Sequence, residues 1–291
     1  MLTVLTFRAP SFFFRRGYFF CIYDIIRGMT PLEKYYNKFK EDHRLTTRHG
    51  IVEFTVSMKY IHDFVESVRQ GRENSGIKLL DVGAGTGRYS VALSREGFDV
   101  TAVELVAHNL EILRGKHENV KSWQGDARDL HFLPDETFDV TLLFGPMYHL
   151  HSDEDRVQAL NEAKRVTKKG GFILVAYLMN EYAVLSYCFR EGKIKEVLAK
   201  GTLTKDFHTI TNINDDLYSY TRLEDMSRLN EKSGLERVKI FAPDGAADYM
   251  RRELNALDEE SFSHFVEYQM AIAERPDLLG ASSHTVDVLR K

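Results

Sequence analysis

The chain has 291 residues, 43% hydrophobic and 28% charged, with six prolines. That composition excludes a disordered or fibrous protein and supports a sizeable core in one large α/β domain or two ordinary ones. A formal net charge of −4 without a long Lys/Arg run excludes a general attraction to phosphate backbones, so nucleic acid is an unlikely partner. The two cysteines, Cys21 and Cys188, stand in neither a CxxC nor a Cys/His metal spacing and fit a reducing cytosol.

The first 28 residues are aromatic and arginine-rich. Arg8, Arg15, Arg16 and Arg27 interrupt each apolar run before it reaches the length of a signal core or a membrane span, so no membrane segment is expected. Met29 opens MTPLEKYYNKFKEDHRL, with Thr30 as a helix N-cap and Pro31 at the first helical position. Residues 1–28 therefore read as an atypical extension outside the fold, arising from an upstream start. Residues 29–72 read as an N-terminal helical cap, in which Ile51, Phe54, Met58, Ile61, Phe64, Val65 and Val68 recur at helical spacing.

From residue 73 short apolar runs alternate with helical patterns. The expected strands are Ile77 to Val82, Asp99 to Glu104, Val120 to Gln124, Phe138 to Phe144 and Phe172 to Leu178. The expected helices between them are Arg88 to Arg95, Ala107 to Lys116 and Asp153 to Val166. Such βαβα order implies a parallel sheet covered on both faces, with ligands at the carboxyl ends of the strands. The rhythm then breaks at an insertion, 180–216, with a helix expected over Glu181 to Lys200. It resumes with helix Arg222 to Ser233, strand Leu235 to Phe241, helical material from Ala246 to Glu274 and a closing strand His284 to Leu289.

The first strand runs into DVGAGTG, with Gly83, Gly85 and Gly87 ahead of a helix. A glycine-rich turn of this kind sets backbone N–H groups and a helix N-terminus beside a ligand. The dinucleotide pattern G-x-G-x-x-G needs glycine where Arg88 stands, which disfavours a nicotinamide cofactor. Glu104 ends the second strand 23 positions after Asp81, Asp126 in WQGDARDL follows the third, Phe138-Asp139-Val140 opens the fourth and KKGG precedes the fifth.

In order and position these features resemble the class I S-adenosylmethionine-dependent methyltransferases, closely over about Lys78 to Leu178 and in outline elsewhere. The resemblance implies a Rossmann-like, doubly wound, seven-stranded, mostly parallel sheet in the order 3-2-1-4-5-7-6, the last strand antiparallel. Residues 73–291 would form this domain, the insertion 180–216 lying over the active site. The resemblance further implies that S-adenosylmethionine is held by Asp81, Gly83, Ala84, Gly85, Gly87, Glu104, Leu105, Asp126, Ala127 and Phe144. Glu104 would accept from the ribose hydroxyls and Asp126 from the adenine amino group.

The family's methyl-facing loop corresponds to FGPMYHLH, Phe144 to His151. Gly145 and Met147 depart from the pattern of amine methylation on nucleic-acid bases, and neither cysteine is placed for pyrimidine C5 chemistry. His149 is the candidate general base, although it could equally cap the following helix or close the pocket by packing. His149, His151, Asp153 and Asp155 could be drawn as a metal cluster, but Ser152 and Asp153 are ordinary N-cap residues and no metal is expected. Tyr35, Tyr36, Arg44, His49 and Glu53 are candidate lid residues, and Met147 and Tyr148 candidate acceptor contacts; Tyr35 and Tyr36 could instead belong to an ordinary helix face. The expected activity is methyl transfer to a small-molecule acceptor in the cytosol. The alternatives are an RNA-modifying methyltransferase and a non-catalytic binding protein.

Overall fold

The computed structural model describes residues 31–36, 46–211 and 216–291. The readings placed on residues 1–28, on Thr30 and on Arg44 lie outside them. Two helices precede the sheet, α1 (Pro31–Tyr36) and α2 (Arg48–Val68), the second started by the Thr47 hydroxyl, which accepts from the Gly50 N–H. Strands and helices then alternate as β1 (Lys78–Val82), α3 (Arg88–Arg95), β2 (Asp99–Glu104), α4 (Ala107–Gly115), β3 (Val120–Gln124), β4 (Phe138–Leu143), α5 (Pro146–His149), α6 (Asp153–Val166) and β5 (Thr167–Leu178). The insertion carries α7 (Asn180–Ala183) and α8 (Ile194–Lys200), and after it come α9 (Leu223–Ser233), β6 (Glu236–Phe241), α10 (Arg251–Ala256), α11 (Glu259–Ile272) and β7 (His284–Arg290).

The seven strands form one sheet in the order β3-β2-β1-β4-β5-β7-β6. β1 pairs in parallel with β2 and β4, while β7 runs antiparallel to both β5 and β6. Alternation along the strands divides the core. Leu79, Leu142, Leu174 and Ala176 pack with Val56, Ile61 and Phe262 of α2 and α11, whereas Leu80, Leu143, Ile173 and Val175 pack with Leu160, Met226 and Leu229 of α6 and α9. Strands buried on both faces read as continuous apolar runs, which is why this sheet is prominent in the sequence.

At the amino end of the sheet Asp139 accepts from Arg72 (3.0 Å), Lys168 (2.8 Å) and the Lys78 N–H (2.9 Å). These bonds anchor three strands away from the ligand side. The fifth strand begins earlier than expected, because Thr167 already pairs with Phe138 and KKGG lies within the strand at a register shift.

The insertion corrects the expectation of one helix over Glu181 to Lys200. A short α7 (Asn180–Ala183) passes into a π-helical turn, Val184–Arg190, and after Gly192 the chain restarts as α8 (Ile194–Lys200). The Glu191 N–H bonds the Ser186 carbonyl five residues back, and Gly192 takes φ +69°, so the α-helical ladder ends there. The break folds the two pieces onto each other, and Val184, Cys188 and Val197 share a small core of their own.

Candidate active site

The carboxyl ends of β1, β2 and β4 converge on the glycine turn. Gly83, Gly85 and Gly87 all have positive φ, at 79°, 55° and 86°. A Cβ on Gly83 would lie 2.5 Å from Pro146 Cδ, and one on Gly87 2.2 Å from a Leu113 methyl. The glycines therefore serve close packing against α5 and α4 as well as the left-handed backbone.

Glu104 closes the turn from β2. It is buried, and its carboxylate accepts from the Gly85 N–H (2.8 Å) and the Val106 N–H (2.8 Å). The same carboxylate is thus fixed at the rim of the turn, beside Leu105, an apolar side chain left 42% exposed. Beneath the turn Asp81 is buried; its Oδ2 accepts from Ser90 Oγ (2.5 Å) and its Oδ1 has no hydrogen-bond partner among the described residues. Burial, with Glu104 nearby, pushes the Asp81 carboxyl up to about 6. Phe144 meets Tyr89 edge to face at 5.2 Å.

Asp126 follows β3 as expected, but its carboxylate is chelated by Arg128, with contacts of 2.7 to 3.2 Å. Burial raises its pKa, and the Arg128 guanidinium outweighs that and holds it below the usual carboxylate range. Arg128 also donates to Asp155 at the start of α6, so the Asp126–Ala127 turn is tied to that helix.

The loop after β4 holds the second half of the site. Met147 is buried, and the His149 ring sits among aromatic rings: 5.7 Å from Tyr36 and 5.2 Å from Tyr218. Its Nδ1 lies 2.9 Å from the Leu217 carbonyl, which can only accept, so Nδ1 carries the proton and Nε2 accepts from Tyr36 Oη at 3.1 Å. Burial pushes this imidazole down to about 4. The segment 217–221 that covers it is strapped down: the Ser219 N–H donates to the Tyr148 carbonyl (2.7 Å), and buried Arg156 donates to Leu150 O and to Ser219 Oγ.

Of the lid candidates, Tyr35 and Tyr36 reach this cage, Tyr35 lying 6.1 Å from Tyr218. His49 turns elsewhere, toward Thr47 (3.3 Å) and Asp248 (3.9 Å), while Glu53 faces His284 at 3.9 Å. Sequence reasoning missed His284, Asp244, Leu217 and Tyr218. The signal for His284 was available: an antiparallel last strand begins at the edge where the parallel strands end, and His284 pairs with Leu178 there. His149, His151, Asp153 and Asp155 do not form a metal nest. Asp153 is bound by Arg228 and Lys232, and Asp155 by Arg128.

Beside the His149 cage the insertion and the segment after it line a half-open cavity of about 300 Å³, with Val184, Tyr187, Val197, Ile210, Tyr218 and Tyr220 among its walls. No helix among the described residues is long and apolar enough to cross a membrane.

A buried acid with an orphaned oxygen under a left-handed glycine turn, and a second acid held at its rim, fit a cationic, ribose-bearing ligand. Comparison with known proteins agrees. A family described as "Methyltransferase domain" matches residues 80–175. A demethylmenaquinone methyltransferase of Staphylococcus aureus (strain JH9) is 40% identical over 179 residues, covering 57% of this chain and 70% of that protein. Another, from strain MRSA252, is 40% identical over 106 residues, 34% of this chain and 42% of its own length. Among solved structures, a possible histamine N-methyltransferase from Thermotoga maritima has a TM-score of 0.52 at 20% identity, covering 89% of this chain and 97% of that one. A methyltransferase from Methanosarcina mazei has the same TM-score at 12% identity, covering 80% and 96%. These two share the fold. With the sheet order, the turn and the relatives taken together, the chain belongs to the class I S-adenosylmethionine-dependent methyltransferases.

Proposed function

We propose that the protein methylates a small, aromatic, hydroxyl-bearing acceptor in the cytosol. The cofactor supplies a methyl group on a sulfonium, open to in-line displacement. On this reading Asp81 and the turn from Gly83 to Gly87, with Ala84, hold its methionine end, the buried carboxylate facing positive charge. Glu104 takes the ribose, Leu105 and Phe144 flank the site, and Asp126 with the Ala127 N–H takes the adenine. Positioning supplies most of the rate in such a displacement, because the reacting atoms need only be close and in line.

The observation that carries the acceptor assignment is the tyrosine-lined cavity of about 300 Å³ against the segment that covers His149. Its size and lining suit a compact aromatic molecule with an apolar substituent. The relatives' name, demethylmenaquinone methyltransferase, supports a naphthoquinol as the first acceptor to try. Tyr35, Tyr36, Met147 and Tyr148 would shape the acceptor side. His149, neutral and accepting from Tyr36, would hold that tyrosine over the site; an imidazole pushed down to about 4 is a weak base at neutral pH.

The test is incubation of the purified protein and methyl-labelled cofactor with a short-tailed 2-prenyl-1,4-naphthoquinol and, in parallel, with the RNA, protein and metabolite fractions of a cell extract. Label in the quinol or metabolite fraction is expected. Label confined to RNA, or none in any fraction, would overturn the reading.

A further inference from the structure

The insertion carries apolar side chains on its outside as well as its inside. Among the described residues, six of the twelve large hydrophobic side chains that stay exposed fall between Leu185 and Ile210, less than a tenth of the chain. They are Leu185, Tyr187, Phe189, Leu198, Phe207 and Ile210. Scattered exposed hydrophobics are ordinary; a concentration of them marks a surface that meets another apolar phase.

Local structure explains why these side chains do not turn inward. In the π-helical turn Val184–Arg190, Val184, Ser186 and Cys188 are buried, while Leu185, Tyr187 and Phe189 face out, Phe189 at 54% exposure. The inner set is already used, since Val184 and Cys188 pack with Val197 of α8 and with Leu203. Leu198, beside Val197, is left 53% exposed. Phe207 stands in the small hairpin closed by the Leu203–Thr209 bridge, so all three pieces are held by one small core. Its backbone has φ +62°, a conformation that bulky residues rarely adopt. Two bonds hold it: its N–H donates to the Thr204 carbonyl (3.1 Å), and its carbonyl accepts from Asn180 Nδ2 (3.0 Å). A helical segment apolar on both sides calls for a second apolar medium.

Charge identifies that medium. The same segment carries Arg190, Lys193, Lys195, Lys200 and Lys205 against Glu191, Glu196 and Asp206, a local positive excess in a chain of net charge −4. Glu196 is taken up by Lys193 (3.5 Å) and Lys200 (2.8 Å), and Asp206 by Arg222 (2.8 Å). Arg190, Lys195 and Lys205 are exposed and have no ion pair among the described residues. Apolar side chains interleaved with cations match an anionic bilayer, in which rings and alkyl chains enter the headgroup boundary and lysines reach the phosphates. A second copy of this chain would instead set like charges against each other.

We propose that the insertion is a membrane-docking surface: Leu185, Phe189, Leu198 and Phe207 enter the headgroup layer of an anionic bilayer, and Arg190, Lys195 and Lys205 hold its phosphates. Docking is peripheral, no described helix being long and apolar enough to cross. It goes beyond the acceptor assignment and does not depend on it. Joined to that assignment, it has a use: Tyr187 and Ile210 belong both to the exposed set and to the walls of the half-open cavity, so an acceptor with an apolar chain passes from lipid to cavity along apolar surface.

Co-sedimentation of the full chain with sucrose-loaded vesicles tests the proposal, with neither methyl donor nor acceptor present. Binding is expected to vesicles of equal parts phosphatidylglycerol and phosphatidylcholine, weakening on phosphatidylcholine alone and as salt rises. The combined variant Leu185→Ser, Phe189→Ser, Leu198→Ser should lower vesicle affinity by about tenfold or more with an unchanged thermal melt, because all three side chains are exposed in the free protein. The combined variant Arg190→Gln, Lys195→Gln, Lys205→Gln should lose about fivefold per charge at low salt and with it the preference for phosphatidylglycerol. Protein left in the supernatant with every vesicle, or binding that neither variant alters, overturns the proposal. So does a dimer in light scattering that the serine substitutions abolish, in place of vesicle binding. Failure to methylate the naphthoquinol overturns the acceptor reading alone, since the vesicle assay contains no acceptor.

Discussion

At the scale of single residues, Asp81 carries the sharpest consequence. Its carboxyl is pushed to about 6 by burial, above the value of about 4 expected in an unfolded chain. The native state therefore keeps a proton that the unfolded state releases, and stability falls as pH rises from about 4 to about 6. Above that window the folded protein bears the whole penalty, on the order of 3 kcal/mol from a shift of about two units. Asp81→Asn should accordingly be more stable than wild type at pH 7 by up to that amount and no more stable below pH 4, while binding S-adenosylmethionine more weakly. Urea titrations across pH check this; a variant less stable than wild type at pH 7 would contradict it. Asp81 and Glu104 were legible because each sits where a strand stops, at a spacing that only chain order imposes. The Arg128 clasp on Asp126 was not legible, because the i, i+2 arrangement DAR says nothing about which way the arginine turns.

At the scale of elements, the glycine turn and the loop after β4 form one packed unit. Gly83 has φ +79° and touches Pro146, so its substitution strains the backbone and drives Cβ into the proline ring. Gly83→Ala should lower stability by about 1–3 kcal/mol and weaken cofactor binding by displacing α5. A thermal melt and a cofactor titration measure both; an unchanged melt would show that the two loops are not in contact. The strands and helices of the sheet could be read residue by residue, since two-sided burial and amphipathic spacing leave strong patterns. The insertion could not: apart from Gly192, residues 181–200 carry an apolar and charged pattern that reads as one helix. Gly192 at φ +69° marks the break locally, while the π-turn before it accompanies the packing of Val184 and Cys188 against Val197, contacts between pieces that no local pattern encodes.

At the scale of the whole molecule, the last strands complete the sheet. β7, inserted antiparallel between β5 and β6, brings His284 to the ligand edge and is tied in by Asp287. Fully buried Asp287 accepts from Arg237 of β6 (2.6 and 2.7 Å) and from Asn230 of α9 (2.7 Å). Removing one partner of such a pair leaves a buried charge uncompensated, so Asp287→Ala should cost about 3–5 kcal/mol, read by chemical denaturation. A cost below 1 kcal/mol would mean the C-terminal strands are not integral to the core. The sheet order followed from the resemblance carried by residues 78–178; composition and periodicity alone gave alternation without order. What they lacked was the direction of β7, and with it the polar centre of Glu53, Asp244 and His284, whose members are up to 231 positions apart in sequence.

On the proposed reading, the turn at Gly83 to Gly87, closed by Glu104, holds S-adenosylmethionine. Calorimetric titration of the protein with S-adenosylmethionine and with NAD tests it most directly. Saturable one-to-one binding of S-adenosylmethionine is expected, with none of NAD and a loss of affinity of about 5- to 150-fold in Glu104→Ala, the equivalent of about 1–3 kcal/mol for a charged hydrogen-bonding group. Binding of NAD in place of S-adenosylmethionine would contradict it.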